Sequence, residues 1–132
     1  MDQLTLKTTK RNELVDITER IQEIVQKNKV KNGLCIVFCP HTTAGLSINE
    51  NADPSVRRDI INSLEKIVPE EASYSHTEGN ADSHVKSSLV GQSLNIFVED
   101  GKLLLGTWQG IYFCEFDGPR SRQIWIKTIT NS

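Results

Sequence analysis

The stretch SLNIFVEDGKLLLGTWQGIYFCEFDGPRSRQIWIKTI, residues 93–129, decides the fold. Leu94 to Val98 reads as a strand, and Asp100-Gly101, a strong two-residue hairpin signal, joins it to Leu103-Leu104-Leu105. Two more strands fit Gly110 to Phe116 and Gln123 to Ile129, with Asp117-Gly118-Pro119 as the turn between them. Nearly a third of the chain is therefore a run of antiparallel strands, and no βαβ dinucleotide unit is visible.

Working upstream, Asn80 can cap a helix whose Ala81, Val85 and Leu89 line one side and which Gly91 ends, leaving His84 off the apolar stripe. Asp53-Pro54 starts an earlier helix, with Val56, Ile60, Leu64 and Ile67 facing the core and Pro69 stopping it. Leu34 to Cys39 is a continuous apolar run closed by Pro40, the pattern of a strand buried on both faces. Ile17, Ile21, Ile24 and Val25 predict a helix over about Glu19 to Lys27 with Thr18 as its cap. Leu4 and Leu6, then Leu14 and Val15, give two short strands at the N-terminus. The fold class is α+β in one domain over 1–132: antiparallel strands enough for two packed sheets, about three helices, and open edges that favour association with other subunits.

Composition narrows the partners. Fifteen Lys and Arg against seventeen Asp and Glu give a net charge of -2, so there is no positive field to hold nucleic acid. No apolar run approaches the roughly 20 residues that cross a bilayer, and the N-terminus lacks the layout of a signal peptide, so neither membrane nor export is expected and the cytoplasm is the expected location. Cys35, Cys39 and Cys114, an odd number, fit reduced thiols in the core better than a disulfide framework.

Three polar segments hold the candidate chemistry. His41 directly follows a buried strand, where a side chain is held more rigidly than on a loop tip, with Thr43 beside it. His76, Asn80 and His84 flank Glu78 and Asp82. Three imidazoles, His41, His76 and His84, suit either a zinc site with an open position or acid-base and supporting roles, and their spacing matches no zincin pattern. Asn49, Glu50 and Asn51 precede a helix start that Asp53 most simply caps; Glu50 and Asn51 are left free to hold a polar ligand or Mg²⁺, or the segment simply forms a capped loop. Thr107, Trp108 and Gln109 lie between Gly106 and Gly110, so a flat heterocycle could stack on the indole, or the indole could cover the core. Arg120 and Arg122 follow a turn and could meet a phosphate or be ordinary surface charge. No organic cofactor is expected.

The runs His41-Thr42-Thr43-Ala44-Gly45-Leu46-Ser47-Ile48-Asn49-Glu50-Asn51-Ala52-Asp53-Pro54, Gly79-Asn80-Ala81-Asp82-Ser83-His84 and Ser93 through Gly106-Thr107-Trp108-Gln109-Gly110-Ile111-Tyr112 resemble the YjbQ-like family in order and over essentially the whole chain. The resemblance implies an antiparallel β-sandwich with flanking helices, a homotrimer, and polar clefts near its interfaces. It also implies a secondary thiamine-phosphate synthase activity, joining a pyrimidine diphosphate to a thiazole phosphate with loss of pyrophosphate. The site residues would be His41, Thr43, Asn49, Glu50, Asp53, His76, Asn80, His84, Thr107, Trp108 and Gln109. The expected function is thus a small-metabolite enzyme acting on a phosphorylated substrate. Its alternatives are a metal-dependent hydrolase or lyase and a non-catalytic metabolite-binding trimer.

Overall fold

The structure is a computed structural model and describes residues 1–131. In chain order its elements are β1 (Asp2–Lys7), β2 (Glu13–Asp16), α1 (Thr18–Lys27), β3 (Gly33–Phe38), β4 (Ala44–Glu50) and α2 (Pro54–Ile67). They continue as α3 (Ala81–Val90), β5 (Ser93–Glu99), β6 (Lys102–Leu103), β7 (Gln109–Glu115) and β8 (Ser121–Thr130). Two antiparallel sheets result, ordered β1-β8-β3-β5-β6 and β2-β7-β4, so the α+β reading with two sheets and three helices holds among the described residues. Among those residues no helix is long and apolar enough to cross a membrane.

The main core lies between the sheets. Cys35, Val37, Ile96, Val98, Ile124 and Ile126 of the larger sheet meet Leu46, Ile111 and Phe113 of the smaller, with Ile21 and Val25 of α1 closing one side. The other face of β7 carries Tyr112 and Cys114, packed with Leu14, Phe116 and the α2 residues Ile60, Ile61 and Leu64. β7 is thus covered on both faces, which the sequence analysis expected of Leu34 to Cys39 instead. In β3 only alternate residues turn inward: Cys35 and Val37 are buried while Phe38 is 40% exposed, because no element covers the outer face of the larger sheet.

Local signals at the helix starts were partly right. Asp53 caps α2 by accepting from the Ser55 amide at 2.9 Å, with Pro54 in the first turn. Thr18 is no cap: the helix begins at that residue, and its hydroxyl accepts from the Ile111 amide at 2.8 Å and donates to Asp16 at 2.6 Å. Asp100-Gly101 turns the β5–β6 hairpin with positive φ at both residues, but β6 ends at Leu103, short of the expected strand. The polar run after His41 also contains an unexpected strand, β4, whose Ala44, Gly45 and Leu46 are buried.

α3 is turned opposite to the sequence expectation. Asp82, Ser83, Lys86 and Ser87 face inward, whereas Val85 and Leu89 are exposed, and Asn80 makes no side-chain cap bond. The reason is what α3 packs on. β4 is an edge strand with main-chain groups left over, and α3 supplies their partners: the Ser87 hydroxyl donates to the Ala44 carbonyl at 2.7 Å, and the Leu46 amide donates to the Gly91 carbonyl at 3.0 Å. Ser83 likewise donates to the Phe116 carbonyl. Gly45 allows this approach, since a Cβ there would lie 2.6 Å from the Gly91 oxygen. The Lys86 ammonium enters the interior as the partner of Asp82, 3.0 Å away, and of the Asn12 amide oxygen at 3.4 Å.

Where the chain leaves β7 for the other sheet, the buried Glu115 carboxylate accepts from the Arg122 guanidinium, the Thr8 hydroxyl at 2.7 Å and the amides of Phe116 and Asp117. Burial pushes its pKa up, but the bonds from Arg122, Thr8 and the Asp117 amide outweigh that and hold it below the usual carboxylate value. Arg122 also donates to the Thr43 hydroxyl at 2.9 Å. Glu115→Ala strands a buried guanidinium, and the expected loss is about 3–5 kcal/mol in urea unfolding. A loss below about 1 kcal/mol would show that this pair does not anchor the fold.

Candidate functional site

The end of β3 and the middle of α3 form two walls of a cleft of about 450 Å³, lined by His41, Thr42, His84, Ser88 and Gln92 among others. His84 also lines an adjoining hollow of about 340 Å³ with Tyr74, His76 and Val85. The His76 and His84 rings meet edge to face with centroids 5.2 Å apart. Thus all three histidines gather at one end of the molecule, with His84 lining both hollows. Larger hollows of about 610 and 570 Å³ lie by the β5–β6 turn and on the outer sheet face, and no candidate residue lines either.

His41 is held by the main chain. The Gln123 amide donates to its Nε2 at 3.0 Å, so the neutral ring accepts there and carries its proton on Nδ1. Protonation would redirect Nε2 to the Gln123 carbonyl, 3.1 Å away, and leave the amide without that acceptor. Burial lowers the pKa of His41 below its ordinary value, and the charge of Arg122 adds to that; the Gln123 carbonyl and Glu115 oppose it. The ring is therefore uncharged at neutral pH.

In the adjoining hollow, His76 Nε2 lies 2.9 Å from the Asn80 amide oxygen, and Asn80 Nδ2 donates to Asp117 at 2.9 Å. Arg120 reaches the same Asp117 carboxylate at 3.0 Å and its carbonyl at 2.9 Å, which places a guanidinium beside Asn80. Arg11 ties this region to the β1–β2 connection by bonding Asp82 at 2.9 Å and the Gly79 carbonyl at 3.3 Å. Thr43, expected to bind substrate, is buried and its hydroxyl accepts from Arg122. It is not among the residues that line the cleft.

The remaining candidates do not join this cluster. Asn49 and Glu50 end β4, where Glu50 pairs in register with Gln109, whereas Ala44 at the other end pairs with Glu115. Six residue steps along the strand, Ala44 to Glu50, separate the two ends, about 20 Å at roughly 3.3 Å per residue. At the far end the Asn49 side chain accepts from the Glu50 amide at 2.7 Å, and the Glu50 carboxylate accepts from the Ala52 amide at 3.1 Å. Gln109 accepts from the Gly106 amide at 2.8 Å and leaves Trp108 63% exposed, with Thr107 exposed beside it. The convergence of all three polar segments expected from the sequence does not occur within one chain. Nor do three metal ligands: among the described residues no group of three His, Cys, Asp or Glu side chains is placed to hold an ion.

A family model described as UPF0047 protein YjbQ-like matches residues 2–131. The chain belongs to the UPF0047 YjbQ-like family. It is 57% identical to a UPF0047 protein of Methanocaldococcus jannaschii over 94% of this chain and 90% of that one. It is 51% identical to UPF0047 protein YugU of Bacillus subtilis over 94% and 95%. A crystal structure of an uncharacterized YjbQ/UPF0047 protein from Clostridium acetobutylicum is 51% identical and superposes with a TM-score of 0.96, covering 98% of this chain and all of that one. A YbjQ-like protein of unknown function from Sulfolobus solfataricus, 34% identical, gives 0.94 over 98% of this chain and 96% of that one.

In this YjbQ-like chain the residues that sequence reasoning missed are Glu115, Asp117 and Gln123. Glu115 sits in an apolar run, and Asp117 was read only as a turn residue. The one available signal was the crowding of Glu115, Asp117, Arg120 and Arg122 into eight positions. The neutral state of His41 has a direct consequence. Because its folded pKa is depressed, the stability it contributes is present above pH 6.5 and is lost as pH falls through the lowered native value. NMR titration should place the His41 midpoint below 6.5, with part of the acid-side loss of stability absent in His41→Gln. A midpoint at or above 6.5 contradicts the neutral ring.

Proposed function

We propose that this YjbQ-like protein is a small-metabolite enzyme whose histidine corner works on phosphorylated substrates, with thiamine-phosphate synthase chemistry as its reaction. What supports the reading is the gathering of His41, His76 and His84 around adjoining clefts, with Arg120 brought to Asn80 through Asp117. The setting joins proton-carrying rings to a cationic fork suited to phosphate oxygens.

In this reaction the bond between the pyrimidine methylene and the diphosphate oxygen breaks, and its electron pair leaves with pyrophosphate. The thiazole ring nitrogen then gives its lone pair to the resulting carbocation, forming the new C–N bond without releasing a proton. The demands on the protein are to neutralise the leaving group and to keep water from the cation. Arg120 and the His84 imidazole suit the first task, and the apolar side chains of Phe38 and Pro40 at the cleft wall suit the second. A zinc or magnesium ion would supply further charge neutralisation for a diphosphate. His76 Nε2 is already engaged by Asn80, and among the described residues no three-ligand group forms.

The reading includes a homotrimer. It accounts for the outer face of the larger sheet, where Phe38, Phe97 and Ile129 stand exposed, and for Val85 and Leu89 on α3. A ring of copies would also let the Glu50 and Trp108 end of one chain serve the histidine corner of another. Light scattering at micromolar concentration should give three times the 14.8 kDa chain mass; a monomer overturns this architecture.

Product formation from the pyrimidine diphosphate and thiazole phosphate tests the chemistry. His84→Ala should lower turnover about 100-fold or more under the same metal conditions. Equal turnover in the variant removes His84 from the mechanism. Saturable binding of both substrates without product would favour a binding protein.

A further inference from the structure

We propose that Asp117 is a positioning residue that fixes which nitrogen of His76 carries the proton. The Asp117 carboxylate can only accept hydrogen bonds, and it receives them from Asn80 Nδ2 at 2.9 Å and from Arg120 at 3.0 Å. Arg11 stands 3.8 Å away on its other oxygen, so the carboxylate is flanked by two guanidiniums. Its demand for donors settles the Asn80 amide. With the NH₂ group turned to Asp117, only the amide oxygen is left for the other side.

That oxygen lies 2.9 Å from His76 Nε2. An amide oxygen cannot donate, so the neutral imidazole must, and Nε2 carries the proton. Glu78, the other acceptor near Nε2, is 3.7 Å away, beyond hydrogen-bond reach but of a sign that favours the same N–H. Nδ1 is then the nitrogen left with a free lone pair. His41 has the opposite arrangement: its Nε2 accepts from the Gln123 amide. The fold thereby prepares two imidazoles in opposite tautomers at one end of the molecule. One is set by the main chain and the other by a side-chain relay that begins at the turn after β7.

Asp117 has few competing duties. Glu115 and Arg122 tie the strand ends together through their own bonds, and Asp117 contributes to that knot by its amide, which any residue provides. Its side chain serves Asn80, the partner of His76, and Arg120. The tautomer is a property of the free protein, and only its consequence for catalysis rests on the function proposed above.

Long-range ¹H–¹⁵N correlation spectra of the ligand-free protein, taken above the imidazole titration range at about pH 8, read the tautomer directly. In the wild type His76 should show a protonated Nε2 and a pyridine-like Nδ1. Asp117→Ala should give a mixture of the two tautomers, and Asn80→Ala the same mixture. The double variant should add nothing further, because Asp117 acts through Asn80. Asp117→Asn, which keeps the size and an acceptor oxygen, should give an intermediate ratio and serves if the alanine variant does not fold. A wild type protonated on Nδ1 overturns the proposal, as does a tautomer unchanged in the folded variants. If the protein makes thiamine phosphate, Asp117→Ala should also lower kcat by roughly 10–100-fold, and Asp117→Asn should recover part of it. Inactivity of the wild type with an intact Nε2–H signature would count against the proposed reaction alone.

Discussion

The buried pair of Glu115 and Arg122 is the interaction on which the remaining structure depends. It sits where the chain crosses from the smaller sheet to the larger, and its bonds reach the end of β1 through Thr8, the start of β4 through Thr43 and both sides of the crossing itself. Two sheets that share one core need such a corner, because main-chain groups at strand ends lose their ladder partners just where they remain buried. An apolar pair of equal volume could fill the space, yet it would leave the Asp117 amide and the Thr43 hydroxyl without these partners. The charge is therefore retained for what it organises more than for the net energy of the pair. The candidate site is built on this corner: Gln123, which holds His41, follows Arg122, and Asp117, which holds Asn80 and Arg120, follows Glu115 by two residues.

The fold was legible in the sequence to the extent that local rules apply. The hairpin at Asp100-Gly101 and the Asp53-Pro54 helix start depend on backbone chemistry within a few residues, and both appear as read. The errors share a cause. α3 turns its hydroxyls and its Asp82–Lys86 pair inward because it docks on the edge of β4, and a hydrophobic stripe cannot report that its neighbour is a row of unpaired peptide groups. The same blindness hid β4 and misplaced the doubly covered strand. Leu34 to Phe38 and Gly110 to Phe116 are similarly apolar, and only the sheet order determines which of them lies between two layers.

At the site, the histidines were legible as candidates because imidazoles in polar segments near a strand end or helix are few in this chain. Their partners were not. Thr43 looks like a ligand-facing hydroxyl until its bond to Arg122 is seen, and Asn49 and Glu50 look like a cation site until their bonds within the β4–α2 connection are traced. The division of the polar segments between opposite ends of β4 follows from strand length and pairing. It decides what one chain can do alone, since Trp108 and His84 are kept apart by a rigid ladder that no loop movement can shorten.

The two sides of the histidine corner are also held with different stiffness. His41 follows a central strand of the larger sheet, and its ring is fixed by a main-chain amide in β8, so its position moves only if the sheet moves. His76 lies on the exposed connection between α2 and α3, which is fastened to the body by Arg11 at Glu70 and Gly79, with His76 itself joined to Asn80. Solvated bonds of this kind open at a small fraction of the cost of unfolding. A site made this way fixes one imidazole through the main chain and the other through side-chain bonds alone. On that second side, the Asp117 carboxylate orients Asn80 and hence His76 without a main-chain partner for the ring.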